Sequence, residues 1–279
     1  MSKLDPHLSK AVTAHSLIVA TLSFIHSLRT QGLRRTLLFA ALGNAIPILG
    51  ELLAVHILRI LRHHTRPQVK GVPLAIALGW YNVGYGTLAI VKGTINNAAN
   101  PQGSKSLVLA SATALGATSF DLLLDPFGLA LGLWEWSEDG LYASEVKGPN
   151  GKCGVPLLNF AGWLALTTGV TLAYQRLQIG SNVAEAPDPE DSGGPGSERA
   201  AALLLLSYYL PAAVWALKQG RRKYVLYSAP FATTLWTALK GRSAASLQLS
   251  EWALCAHDSG AVRGANEWTR TADLESHHE

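Results

Sequence analysis

Charge is scarce in this chain of 279 residues. Asp, Glu, Lys and Arg make up 15% of it, against about 25% in an ordinary soluble domain. With 48% hydrophobic residues and a positive mean hydropathy, that shortage argues against a water-soluble domain and for a bilayer. Cysteine is nearly missing as well. Cys153 and Cys255 form neither a CxxC nor a metal-spaced pair, so no disulfide framework or thiolate zinc site is expected. No nucleotide loop, serine elbow, HExxH or dinucleotide fingerprint occurs, and no fixed-period repeat is found. Lys3 and Lys10 precede an apolar run, but no small-residue cleavage site follows, so that run reads as a retained helix. The net charge of +4 is accounted for by basic loops between apolar segments and calls for no nucleic-acid partner.

What is present is a series of apolar stretches near the roughly 20 residues that span a bilayer as a helix. They run over Ala11–Leu28, Thr36–Leu58, Val72–Val91, Leu107–Leu133, Val155–Tyr174, Ala200–Leu217 and Tyr224–Leu239. The expectation is an all-α, polytopic membrane bundle of about seven transmembrane helices forming one domain over residues 1–256. The fourth stretch is too long for one straight span. Asp125-Pro126 supplies a break, because the residue before a proline is pushed out of the helical region, and a bent or re-entrant piece then ends at Trp134-Glu135-Trp136. Arg59–Lys70 reads as a basic loop in which His63 and His64 are solvated, and Ser137–Gly154 as a polar loop. Residues 181–198 form an acidic, Pro/Gly/Ser-rich segment expected to be disordered. Ser243–Ala256 is at best an interfacial helix, and 257–279 a disordered polar tail. The N-terminus, the Arg59–Lys70 loop and the Lys218–Lys223 turn fall on one side, which their positive charge marks as cytoplasmic.

Three carboxylates lie inside apolar stretches: Glu51, Asp121 and Asp125. A carboxylate at the centre of a membrane helix costs about 2.5–3.5 kcal/mol on insertion scales and less near its end, so such residues mark sites by default. Asp121 and Asp125 are four apart and share one helix face. Two neighbouring carboxyl groups removed from water can hold a single proton and deliver it as a general acid. The bland alternatives are a helix cap for the aspartates and an interfacial position for Glu51. Trp80, Tyr81, Tyr85, Trp134, Trp136 and Trp163 are candidates to wall a cavity with cation-stabilising faces, or to form an interfacial belt. Asn44, Asn82 and Asn159 are neutral amides suited to interhelical hydrogen bonds.

Four blocks carry a resemblance. They are Glu51-Leu52-Leu53; Gly71-Val72-Pro73-Leu74 with Leu78-Gly79-Trp80-Tyr81; Asp121-Leu122-Leu123-Leu124-Asp125-Pro126 with Gly132-Leu133-Trp134-Glu135-Trp136; and Gly154-Val155-Pro156-Leu157-Leu158-Asn159-Phe160-Ala161-Gly162-Trp163. In this order and spacing, over roughly residues 36–175, they resemble the CruF-type carotenoid hydratase family of integral membrane proteins, which includes the bisanhydrobacterioruberin hydratases. The chain departs from the family in its basic Arg59–Lys70 stretch and in the residues inserted between Tyr142 and Gly154. The resemblance implies addition of water across a terminal isoprenoid double bond of a carotenoid or related polyene, without a cofactor. Asp121 or Asp125 would donate the proton, with Glu51 assisting water or the cation across the pocket. Trp80, Tyr81, Tyr85, Trp134, Trp136, Asn159 and Trp163 would line the substrate site. Three other readings stay open: an end-group cyclase using the same cation, a Mg²⁺-dependent prenyltransferase clamping diphosphate through the Asp-x3-Asp pair, and a non-enzymatic pigment carrier.

Overall fold

Long helices dominate the computed structural model, which describes residues 4–96, 105–179 and 197–240. The first, α1 (Pro6–Leu52), begins where the Asp5 side chain accepts the His7 amide at 2.8 Å and Pro6 takes the first helical position. An acceptor for an orphan N–H and a ring that lacks one are both suited to a helix start. The two expected spans Ala11–Leu28 and Thr36–Leu58 fall largely within this one element, interrupted only at Gly32 (φ 78°, ψ 169°). Without a Cβ, that backbone is inexpensive, so the Arg29–Arg35 connection contracts to a kink. A π-helical turn, Leu53–Ile57, follows.

The other long helices are α2 (Leu74–Asn96), α3 (Lys105–Ala130), α4 (Leu157–Ile179) and α5 (Ser197–Lys218). With α1, five helices among the described residues are long and apolar enough to cross a membrane. They keep large apolar side chains such as Leu17, Ile18, Leu37, Leu115 and Leu203 on the outside, where lipid and not water is the compatible solvent. The expected seventh span is divided at Ser228 into α6 (Arg222–Tyr227) and α7 (Ala229–Lys240). At 1.5 Å per residue α7 is about 18 Å long, short of the roughly 30 Å hydrocarbon core. Of the segment 181–198, the last two residues belong to α5; the rest of it, Ser243–Ala256 and the tail from His257 lie outside the described residues.

Pro126 does not end its helix. α3 runs through it to Ala130, contrary to the break expected at Asp125-Pro126. Proline removes one N–H and so leaves unpaired the carbonyl four residues back, here that of Leu122. The Tyr142 hydroxyl donates to that carbonyl at 2.6 Å. Burial, with Tyr224 and Tyr227 nearby, pushes the Tyr142 hydroxyl above the usual phenol range, which keeps the donor protonated. Tyr142→Phe is expected to lower stability by about 1–3 kcal/mol, the cost of a buried acceptor left unmade; thermal unfolding of the detergent-solubilised protein measures it.

Both expected loops carry short strands, and so do the first residues of the expected third span and the expected re-entrant piece at Trp134–Trp136. These are β1 (Leu61–His63), β2 (Gln68–Val69), β3 (Val72–Pro73), β4 (Trp134–Trp136), β5 (Tyr142–Lys147) and β6 (Cys153–Val155), paired antiparallel as β1–β4, β2–β3 and β5–β6. The Arg66 carbonyl accepts from Ser9 and Thr13 at the start of α1. Glu145 of β5 binds Lys223 at 2.8 Å and the Tyr224 hydroxyl. The start of α1, the 59–73 segment, the 131–156 segment and the turn before α6 therefore gather at one end of the bundle. Burial opposes ionisation of Glu145, but the hydrogen bonds from Lys223 and Tyr224 outweigh it and hold its carboxyl down at about 2. A depressed carboxyl contributes stability that is complete above its ordinary value near 4.5 and lost as pH falls towards 2. Glu145→Gln should flatten that acid limb, measured as unfolding midpoint against pH.

Candidate active site

The acid pair sits on α3 above that end of the bundle. Asp121 and Asp125 are each only 3% exposed, and one turn of helix stacks them on one face. A single group bridges them. The Asn159 amide nitrogen, in the first turn of α4, donates to Asp121 Oδ2 and Asp125 Oδ2, each at 2.7 Å. Asp125 also accepts from the Trp134 indole N–H through its other oxygen. Asp125 thus takes two N–H donors and Asp121 one among the described residues.

Glu51 closes the second wall. It lies at the end of α1, just before the π-helical turn. Trp80 donates its indole N–H to Glu51 Oε1 at 2.9 Å, and His63 Nε2 lies 2.9 Å from Oε2. Trp80 stacks on Trp163 with ring centroids 3.7 Å apart and planes inclined by 22°, so α1, α2 and α4 are fixed to one another beside the acid. Glu51, Trp80, Asp121, Asp125, Trp134, Trp136, Asn159 and Trp163 all line one cavity of about 340 Å³. Its remaining wall is largely apolar, with Leu8, Ile76, Val83, Leu124 and Phe127 among the contributors.

Tyr81 and Tyr85 are placed elsewhere. They stack on each other at 5.9 Å and pack with Phe39 and Tyr174, away from the cavity; the Tyr85 hydroxyl is 2.7 Å from His26 Nδ1. The reason is helical phase: Trp80 and Val83 mark the cavity face of α2, and Tyr81 and Tyr85 fall on the face beside it. His63, expected in solvent, is instead 8% exposed and lines the cavity. Strand pairing sets His63 opposite Trp134, and the inside–outside alternation of Leu61-Arg62-His63 was the available sign. His15, Ser207 and Tyr208 add a second polar group to the wall, with His15 Nε2 3.0 Å from Ser207 Oγ. Glu135 of β4 is buried but does not line the cavity, with Arg62 at 3.8 Å and His64 at 3.2 Å. Among the described residues no three His, Cys, Asp or Glu side chains converge as a metal site.

Fold and site together define a helical membrane-type bundle enclosing an apolar cavity walled by buried carboxylates. The chain belongs to the carotenoid biosynthesis protein family, whose model matches residues 11–217. Comparison with curated proteins and with solved structures returns no match. Membership assigns the protein to carotenoid biosynthesis, with a lipophilic isoprenoid substrate and a membrane setting.

Proposed function

We propose that the protein is a membrane-embedded hydratase that adds water across a terminal isoprenoid C=C of a carotenoid or related polyene. The observation that carries this reading is the Asp121–Asp125 pair, buried on the wall of an apolar cavity and sharing one neutral donor, Asn159. Two carboxyl groups so close resist carrying two charges. Asp125 accepts two N–H bonds and holds the charge, leaving the proton on Asp121. Transfer of that proton breaks the carboxyl O–H bond and forms a C–H bond at the less substituted alkene carbon. The positive charge then rests on the tertiary carbon. The Trp80 and Trp134 ring faces and the Asp125 carboxylate stabilise it. A lone pair of water closes the C–O bond, and loss of a proton from that oxygen leaves a tertiary alcohol. Glu51, on the facing wall, assists the water. A clamp for magnesium diphosphate has less support, because the inner oxygens of both aspartates are taken by Asn159.

Expression in a lycopene-producing host tests the reading. A product heavier by one water is the expected result. An isomer of unchanged mass would instead favour an end-group cyclase, and unchanged pigment would favour a carrier.

A further inference from the structure

The geometry points to His63 as the general base of the site, taking the proton that water loses as it captures the cation. This inference rests on the hydratase reading and adds a residue to it. The His63 side chain is 3% exposed and Glu51 11%, and both line the cavity. Glu51 is fixed from one side by the Trp80 indole N–H on Oε1, so its other oxygen is directed at His63 Nε2. A carboxylate oxygen accepts, which places the imidazole proton on Nε2 and the lone pair on Nδ1. Nδ1 is buried and has no hydrogen-bond partner. Buried acceptors left bare call for an explanation, and a reacting water in the cavity supplies one.

The backbone makes the placement firm. His63 sits in β1 opposite Trp134 of β4, its carbonyl accepts from the Gln68 amide at 3.0 Å, and its ring meets the Trp134 ring edge-on at 6.4 Å. Trp134 is in turn bound to Asp125. One indole therefore stands between the acid pair and the group that takes the proton. Separate donor and acceptor give a balanced cycle. Asp121 loses H⁺ to the alkene, water oxygen bonds the cation, and the oxonium proton passes to His63 Nδ1. The imidazolium formed beside the Glu51 carboxylate is a stabilised ion pair, the arrangement by which a carboxylate supports a histidine base. Release of that proton and reprotonation of Asp121 by solvent complete turnover.

The test uses membranes carrying the full chain, supplied with lycopene in D₂O, with two readouts: water addition, and deuterium in recovered polyene. Without the base the cation still forms, but it returns a proton to the acid pair and regenerates an alkene carrying deuterium. His63→Gln, whose side-chain amide can still donate to Glu51, should lower hydration about 100-fold and raise the share of deuterated, unhydrated polyene. The same partition is expected of Glu51→Gln, which no longer forces the proton onto Nε2. Hydration at the wild-type rate in His63→Gln would overturn the proposal. So would parallel loss of hydration and exchange in both variants, or failure of both to accumulate in the membrane, since a purely structural role produces either. Wild-type protein that yields no water adduct would refute the hydratase reading itself, and that outcome is visible before any variant is examined.

Discussion

Asp121→Asn lowers product formation by about 10²- to 10⁴-fold, the range a positioned general acid contributes, while the protein accumulates normally. The substitution is nearly isosteric, and an asparagine carbonyl still accepts the hydrogen bond that Asn159 directs at Asp121 at 2.7 Å. What it removes is the acidic proton. Exchange in D₂O must therefore fall together with hydration, in contrast to the split expected at His63. Asp125→Asn keeps an acceptor for only one of Trp134 and Asn159, which bind different carboxylate oxygens, and it also loses the neighbouring charge that stabilises the cation. Pigment extraction from the producing host, normalised to membrane-inserted protein, measures both variants. Wild-type turnover in Asp121→Asn would remove this residue from the chemistry.

Gly128→Ala is the second large effect, and it reaches the site without altering any polar group. A Cβ at Gly128 would overlap ring atoms of Trp134, far inside van der Waals contact. Trp134 cannot move aside at no cost, because its indole N–H is bound to Asp125 and its backbone is paired with β1. The expected result is overpacking by about 1–3 kcal/mol and a drop in turnover on the order of 100-fold, the effect of misplacing a reacting group by about 1 Å. The double variant Gly128→Ala/Trp134→Phe separates the two terms. The smaller ring relieves the clash and restores the unfolding midpoint, but activity stays low because Asp125 has lost a donor.

Much of the bundle was legible because a spanning helix must be apolar over its length, and that signal is local. The acid pair was legible for the converse reason, since carboxylates are conspicuous where charge is otherwise scarce. What failed were local readings of backbone and burial that a distant partner decides. Pro126 looked like a helix end because the sequence near it does not reveal that Tyr142 reaches back to the Leu122 carbonyl. His63 looked solvated among Arg59, Arg62, His64 and Arg66, because its burial comes from pairing with a strand 71 residues later in the chain, His63 against Trp134. Tyr81 and Tyr85 were different. The 100° step between adjacent residues of α2 separates them from Trp80, so helical phase alone would have set them apart.

The three-residue pairing of β1 with β4 also limits how the chain can change length. Side chains on a strand alternate faces, so an insertion or deletion of one residue between the end of α1 and His63 would turn Arg62 or His64 towards Glu51 and the histidine outward. The same change after Thr65, or between Ser137 and Leu141, leaves that register alone. Related chains should therefore vary in loop length on the far side of His63 and Trp134 while holding a constant count from Glu51 to His63, so this short pairing acts as a ruler for the site.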